Sequence, residues 1–220
     1  MEAVECIKTR MSIRKFKPEP VPKNILTEII NTAQRSPSYK NSQPWEVVIV
    51  SGKKKEELSE LLIRLLEEGK VPQPDIPEAV SWPADIAERI NETMKKRGSL
   101  LGIDLNSPEI KKKSKAANFR FYGAPHGIFL FHDSSLNEWS IFDAGLFAQS
   151  LMLAAHAHGI GTVPQGFLID YSSEIKQFLG IPESKRLILG ISIGYPDAEN
   201  VINTCMTTRV ETGRILRWVE

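Results

Sequence analysis

Two short stretches of this 220-residue chain concentrate side chains that handle polar and anionic ligands. The first is Ser36-Pro37-Ser38-Tyr39-Lys40-Asn41-Ser42-Gln43-Pro44-Trp45, which runs into the apolar segment Val47-Val48-Ile49-Val50. Its Ser, Asn and Gln side chains can bond the polar edges of a ligand, and its prolines stiffen the backbone that presents them. Composition alone also allows a plain turn with a hydrophobic exit. The second is Arg10-Met11-Ser12-Ile13-Arg14, where a first helical segment ends. Two guanidinium groups four apart can offset the helix dipole, for under about 1 kcal/mol. They can equally grip a phosphate through bidentate, charge-assisted bonds.

The familiar side-chain catalysts are missing. There is no GxSxG elbow, no Walker loop, no GxGxxG after a strand and no HExxH, so the common hydrolase, nucleotide and zinc fingerprints fail. Cys6 and Cys205 lie near opposite ends without CxxC spacing, which excludes a disulfide scaffold and a zinc site built on them. His126, His132, His156 and His158 also lack metal spacing. An enzyme without such fingerprints can delegate its reaction to a cofactor and supply orientation and electrostatics. A formal net charge of +1 gives no bulk field for nucleic acid or an anionic membrane. With 41% apolar and 25% charged residues, the balance is that of a soluble globular protein. No apolar run reaches membrane-spanning length and no signal peptide is evident, so a reducing cytoplasm is the expectation.

Periodicity supplies the elements that position these stretches. Helices are expected over 2–10, 23–34, 53–68, 84–97, 108–121 and 137–158, with Ser172 or Ser173 capping another that ends at Leu179-Gly180. In the second, Ile25, Leu26, Ile29, Ile30 and Ala33 form an inward stripe. Strands are expected over 45–51, 126–132 and 186–195. Pro72, Pro74, Pro77 and Pro83 break the chain between Gly69 and Pro83. The span of about 70–121 therefore reads as an insertion where a lid over a pocket is expected. The last 20 residues or so, about 200–220, form an apolar arm without an obvious home in one subunit. Strands alternating with helices, with helices in excess, suggest an α+β or α/β sandwich.

Arg10-x-Ser12-x-Arg14-x-Phe16 and Ser36-Pro-Ser-x-x-Asn-x-Gln-Pro-Trp45 together resemble the two N-terminal signatures of the nitroreductase family of flavoproteins. Further matches follow in order: Phe121-Tyr122-Gly123-Ala124-Pro125, Asp143-Ala144-Gly145, Gly159-Ile-Gly161 with Pro164-Gln165-Gly166, Gly190-x-x-x-Gly194-Tyr195-Pro196, and Arg209 in a basic C-terminal segment. The resemblance spans nearly the whole chain. It implies one α+β domain, a three-layer sandwich with a central, mainly antiparallel sheet. It further implies a homodimer in which the C-terminal arm is swapped onto the partner.

The resemblance also implies bound FMN, with NADH or NADPH as hydride donor. Arg10, Met11, Ser12 and Arg14 would hold its phosphate, ribityl chain and pyrimidine edge, with Arg209 a second phosphate contact. Pro37, Ser38, Tyr39 and Asn41, supported by Gln43, would reach the flavin of the other subunit. Pro164, Gln165 and Gly166 would pass over the ring as a segment whose backbone N–H groups, which Pro164 itself lacks, bond it, while Gly123 and Gly145 are expected as packing glycines. Thr207 and Thr208 stand where relatives often carry a Lys, and no residue matches the family's further Lys at the pyrimidine. The implied reaction passes hydride from the nicotinamide to the flavin and then to a nitroaromatic or quinone acceptor, with ping-pong kinetics and no side-chain nucleophile. The same scaffold hosts an iodotyrosine dehalogenase and a flavin-fragmenting oxidase, and a non-catalytic flavin- or ligand-binding dimer would use the same contacts. The dehalogenase reads its substrate with Glu, Tyr and Lys, whereas Glu88, Glu92, Lys95 and Lys96 have no tyrosine among them.

Overall fold

A computed structural model describes residues 1–220. In chain order the elements are α1 (Ala3–Thr9), α2 (Lys23–Ala33), β1 (Glu46–Ser51), α3 (Gly52–Glu67), α4 (Ala84–Leu101) and α5 (Pro108–Phe119). There follow β2 (His126–Asp133), α6 (Glu138–Ala157), β3 (Gly161–Gln165), α7 (Ser172–Leu179) and β4 (Lys185–Gly194). The four strands form one sheet in the order β1-β2-β4-β3, and every neighbouring pair is antiparallel. The fold is the α+β sandwich expected from the resemblance.

Side chains of a strand alternate between faces, and β2 uses both. Ile128 and Leu130 pack with α2 (Leu26, Ile29, Ala33) and α6 (Phe147, Leu151, Ala155). Phe129 and Phe131 pack with α3 (Leu58, Leu62, Leu65) and Ile175 of α7. A central strand covered on both sides must be apolar throughout, which is why the run Gly127-Ile128-Phe129-Leu130-Phe131 shows no polar alternation. Helix–sheet–helix layering follows from that one strand. The buried stripe of α2 is Leu26, Ile29 and Ala33, while Ile25 and Ile30 are only half-buried.

Three local expectations change. Gly161–Gln165 is a strand, β3, where none was expected; Pro164 lacks an N–H, and its place on an edge strand makes that tolerable. The serines at α7 do not cap it: Ser172 is its first residue, and its Oγ donates to Ile169 O (2.8 Å) and accepts from Asp75 N (3.0 Å). Gly123 and Gly145 are not packing glycines, because a Cβ on either would meet nothing within 4 Å. Gly123 is needed instead for its φ of +81°, which side chains with a Cβ rarely adopt. The tightly packed glycines include Gly161, where a Cβ would lie 2.7 Å from Ile13 Cγ1.

The Pro-rich connector before α4 contains no regular element and is bonded to the body. Gln73 N donates to Asp170 O at 2.7 Å, and Asp75 accepts from Leu187 N, also at 2.7 Å. Asp75 also lies 3.4 Å from the buried Lys176 ammonium, which pairs with Glu183 at 2.8 Å. Farther on, α4 packs on the 3-10 turn Val201–Thr204, and Lys96 Nζ donates to Met206 O at 2.8 Å. Beyond it the C-terminal arm projects, with Ile215, Trp218 and Val219 more than three-quarters exposed (77%, 79% and 83%). No helix is long and apolar enough to cross a membrane.

Candidate functional site

The end of α1 leads into a segment laid along the outer edge of β3. Ser12 forms a parallel bridge with Thr162, and Ile13 N donates to Thr162 O at 3.0 Å. Ile13 can lie that close because Gly161 has no side chain. From the other end of the chain, Asn203 grips the same segment. Its Oδ1 accepts from Arg14 N at 2.7 Å, while Nδ2 donates to Lys15 O at 2.8 Å and Asp197 O at 2.9 Å. The Cys205–Arg209 stretch that follows forms the opposite wall.

Between them is a cleft of about 420 Å³ bordered by Arg10, Met11, Ser12, Arg14 and Arg209. Burial, and then the nearby Arg209 charge, hold the Arg10 guanidinium below its ordinary proton affinity. Burial and then Arg97 on α4 do the same to Arg14, with the Tyr122 phenol pulling the other way. Arg14 Nη1 donates to Ser12 O at 3.3 Å. Arg10 Nη1 is buried and has no hydrogen-bond acceptor, as is Arg97 Nε. None of the four arginines takes part in any ion pair of the chain. Half-buried guanidinium groups without a carboxylate are costly to leave uncompensated, which suits this side of the chain to an anion. A larger hollow of about 640 Å³ runs along α4 and its following turn, but it shares no residue with this cleft.

The second sequence motif sits elsewhere in the single chain. Tyr39 N donates to both oxygens of the buried Asp143 at 3.1 Å, which pins the loop to the second turn of α6. Ser38 Oγ accepts from Gln43 N at 3.0 Å, and Gln43 Nε2 donates to Asn41 O at 3.2 Å. Lys40, Asn41 and Gln43 all have positive φ (52°, 57° and 46°), so the loop holds a conformation that costs energy. Tyr39 is exposed and stacks on Trp139 at 5.5 Å. Pro37 borders a separate groove with Cys6, Ile7 and Leu153. The structure thus brings Arg10, Met11, Ser12, Arg14 and Arg209 together, and leaves Pro37, Ser38, Tyr39, Asn41 and Gln43 outside their cleft.

At the end of β3, the Gln165 side chain is committed to the core. Its Nε2 donates to Asn118 O and Oδ1 at 3.1 Å, and its Oε1 accepts from Ser192 Oγ. Only its backbone can serve a ligand. Gly166 is exposed, and a Cβ there would touch nothing within 4 Å; Pro164 is half-buried. Sequence reading missed Asn203, Arg97 and the anchoring part of Asp143. Arg97 follows Lys95-Lys96 and reads as one more charge on a solvated helix face.

Fold and cleft define an α+β protein with an arginine-lined cleft at the edge of its sheet. The chain matches the family model described as Nitroreductase family over residues 7–195, and it belongs to that family. A 4-nitrobenzoate reductase of Pseudomonas putida is 33% identical over 207 residues, covering 92% of this chain and 89% of that protein. Nitroreductase NfnB of Mycolicibacterium smegmatis is 33% identical over 219 residues, covering 98% and 93%. The crystal structure of the FMN-dependent nitroreductase NfnB from Mycobacterium smegmatis in complex with NADPH superposes with a TM-score of 0.94. It is 32% identical and covers 99% of this chain and 98% of that one.

Proposed function

We propose that this chain is an FMN-dependent NAD(P)H oxidoreductase that reduces nitroaromatic or quinone-type acceptors. The observation that carries the reading is the meeting of Arg10 and Arg209, from opposite ends of the chain, at a cleft where Arg10 Nη1 lacks an acceptor. These residues fit a phosphate-bearing flavin. Relatives support it: NfnB is named as FMN-dependent and complexed with NADPH, and the Pseudomonas putida protein as a 4-nitrobenzoate reductase.

When bound, FMN would supply the hydride relay between nicotinamide and acceptor. The chain's part is to hold and bias it. Arg10 and Arg209 would neutralise the phosphate, with Met11 and Ser12 lining its approach. Arg14, braced by Ser12 O, would present a fixed cation to the electron-accepting ring. The backbone of Pro164, Gln165 and Gly166 would lie against the ring, where the open Cα of Gly166 leaves room. No nucleophile is required, and one face serving donor and acceptor in turn gives ping-pong kinetics.

The reading extends to a homodimer. Pro37, Ser38, Tyr39, Asn41 and Gln43 lie outside their own chain's cleft, and the exposed Ile215–Val219 arm needs an apolar partner surface. A second copy, its arm exchanged, would supply both. The whole chain is read as one flavin-binding domain in which the segment at about 70–121 forms a lid-like cover and about 200–220 the arm. The enzyme would work in the cytoplasm, consistent with two free, buried thiols.

Purified protein should absorb near about 450 nm, as oxidised flavins do, bleach with NADPH or NADH, and recover its colour when a nitroarene is added. Arg10→Ala and Arg209→Ala should lose FMN on desalting. Full flavin content in both variants would falsify the phosphate assignment. Bleaching that no nitroarene or quinone reverses would sink the reductase reading and favour a dehalogenase or an oxidase, and failure to bleach with either nucleotide would favour a binding protein.

A further inference from the structure

Arg10 borders two hollows. One is the arginine cleft. The other, of about 280 Å³, shares Arg10 and Met11 with it and is bordered further by Thr9 and by His156 from the last turn of α6. No carboxylate borders either hollow. His156 does not border the cleft and reaches Arg10 only through the second hollow. Its ring is fixed, and its tautomer follows from the bonds around it. Nε2 lies 2.9 Å from Thr9 Oγ1, and that hydroxyl already donates to Glu5 O at 2.8 Å. Nε2 is therefore the donor, which leaves Nδ1 bare on the neutral ring. A proton arriving at Nδ1 breaks no bond of the fold.

Unlike the buried His126 and His132, His156 is only half-buried, and few charges surround it. On α6 itself, His158 lies 3.7 Å from Glu28 of α2. From α1 come Glu5, Lys8 and Arg10, with Cys6 turned to Leu153 O, and the terminal ammonium of Met1 borders the same hollow. β3 brings Gly161 and Thr162, which carry no charge, and after β4 Pro196 is followed by Asp197, whose N–H goes to Lys15 O. Burial, and then the Arg10 charge, hold the imidazole below its ordinary value of 6.5. Arg10 is thus the charge the ring feels.

Resting on the reading of Arg10 as a phosphate contact, we infer that His156 is a proton-linked positioning residue, which takes up a proton when the phosphate of FMN settles on Arg10. The sign follows from charge. Without an anion, Arg10 opposes a second positive charge beside it. A phosphate, at about −1.5 to −2 near neutral pH, cancels that opposition and makes the ring more basic. Between the free and the bound value, binding draws in part of a proton, and the contribution of His156 to affinity grows as pH falls through that window. Above the window the ring is neutral in both states and contributes only its bond to Thr9. The linkage is reciprocal, so bound FMN holds the His156 proton more tightly.

The test titrates FMN, and riboflavin as the same ring without a phosphate, into the full chain freed of flavin, at pH 8.0 and pH 5.5. Wild type is compared with His156→Gln, whose amide can still donate to Thr9 but does not titrate. Any titration of the FMN phosphate is common to both proteins and cancels in their ratio. At pH 8.0 the two should bind FMN alike; at pH 5.5 the variant should bind it roughly three-fold more weakly. Riboflavin should show no such divergence. Calorimetry in buffers of different ionisation enthalpy should find wild type taking up more protons with FMN than the variant does. A ratio that stays the same at both pH values, or equal proton uptake, overturns the inference. So does a divergence that riboflavin shows equally, which would mark acid loosening of the fold. Wild type that takes up no FMN overturns the flavin reading instead. The proton linkage is then read with sulfate, whose charge is constant over this range. Sulfate should raise the Tm of wild type above that of the variant more at pH 5.5 than at pH 8.0, and equal gains overturn the linkage.

Discussion

Asn203 ties the two ends of the chain together at Arg14: its Oδ1 accepts the Arg14 N–H at 2.7 Å, while its Nδ2 donates to the carbonyls of Lys15 and Asp197. One buried amide satisfies three backbone groups on segments remote in sequence. An amide is the only short side chain that can accept once and donate twice here. Asn203→Ala should cost about 2–3 kcal/mol, since it strands buried partners, and should lower FMN retention with it. Asn203→Asp should do no better, because a carboxylate cannot donate to Lys15 O and Asp197 O. Thermal unfolding and flavin content after desalting read both effects. Wild-type values in Asn203→Ala would show that the arm is held by other means.

Gly161 should be as sensitive from the opposite side of the same segment. A Cβ there would fall 2.7 Å from Ile13 Cγ1 and 3.0 Å from Ile13 Cβ, so either Ile13 or the strand must move. Overpacking of this kind costs typically about 1–3 kcal/mol. Because Ile13 N bonds Thr162 O, moving it carries Arg10, Ser12 and Arg14 along. Gly161→Ala should therefore lower Tm and weaken FMN binding together. Adding Ile13→Ala removes the closest contact and should restore part of the flavin affinity despite its own cavity. Flavin titration of the two variants checks this.

The parts of this architecture that showed in the sequence are those with a period or a charge. The buried faces of α2 and α3 repeat at helical spacing, the double-sided burial of β2 reads as an unbroken apolar run, and Arg10 and Arg14 stand out as cations four apart, whereas Arg209 was reached only through the family resemblance. β3 stayed hidden because it is short and carries Pro164, whose missing N–H matters less at a sheet edge than in the middle. Asn203 and Arg97 were invisible for a different reason. Their partners lie far away in sequence, and each sits in a stretch whose composition looks like ordinary polar surface. Gln165 was expected for its backbone, and its side-chain amide is committed to Asn118 and Ser192.

The Ser36–Trp45 loop depends on Asp143. Both carboxylate oxygens take the Tyr39 N–H, Ser36 Oγ bonds Ser150 Oγ at the loop's start and Trp45 stacks on Phe147 at its end, while the positive φ values at Lys40, Asn41 and Gln43 leave the stretch between them prone to relax. Asp143→Ala should free the loop, raise its susceptibility to limited proteolysis and, in the proposed dimer, raise KM for the acceptor. Asp143→Asn retains one acceptor oxygen and should fall between the two. Cleavage patterns identical to wild type in Asp143→Ala would remove this role.

The exposed arm supplies the check on assembly. Ile215, Leu216, Trp218 and Val219 together present an apolar strip to solvent, and burying such side chains yields about 1.5–3 kcal/mol each. A chain ending at Arg209 keeps all four arginines but loses that strip. Sedimentation should find the full chain as a dimer, and the shortened one shifted toward monomer with weaker flavin retention. A full-length chain that sediments as a flavin-loaded monomer would end the dimer proposal.

Acid should destabilise the fold through its histidines before it reaches most carboxylates. His126 is buried; its Nε2 accepts from Val21 N at 2.9 Å and its Nδ1 meets Ser51 Oγ. Accepting that bond requires a bare Nε2, so the ring must be neutral. His132 is fully buried, with Nδ1 2.6 Å from Ser140 Oγ and Nε2 without a partner. Ser140 already donates to Asn137 O at 2.6 Å, which makes His132 Nδ1 the donor and leaves its other nitrogen bare as well. Burial is the leading cause that holds both imidazoles below their ordinary value of 6.5. The unfolded chain therefore binds protons as pH falls through 6.5 while the folded chain does not, and stability drops in that window. It is recovered in full above it. Asp170 works in the opposite sense, because burial raises its carboxyl above the usual range and the folded state takes up that proton first. Tm should thus fall from pH 7.5 to 5.5 in wild type, and fall less in His126→Gln, whose amide can still accept from Val21 and donate to Ser51 without titrating. An equal slope in that variant would show that His126 is already protonated within the fold.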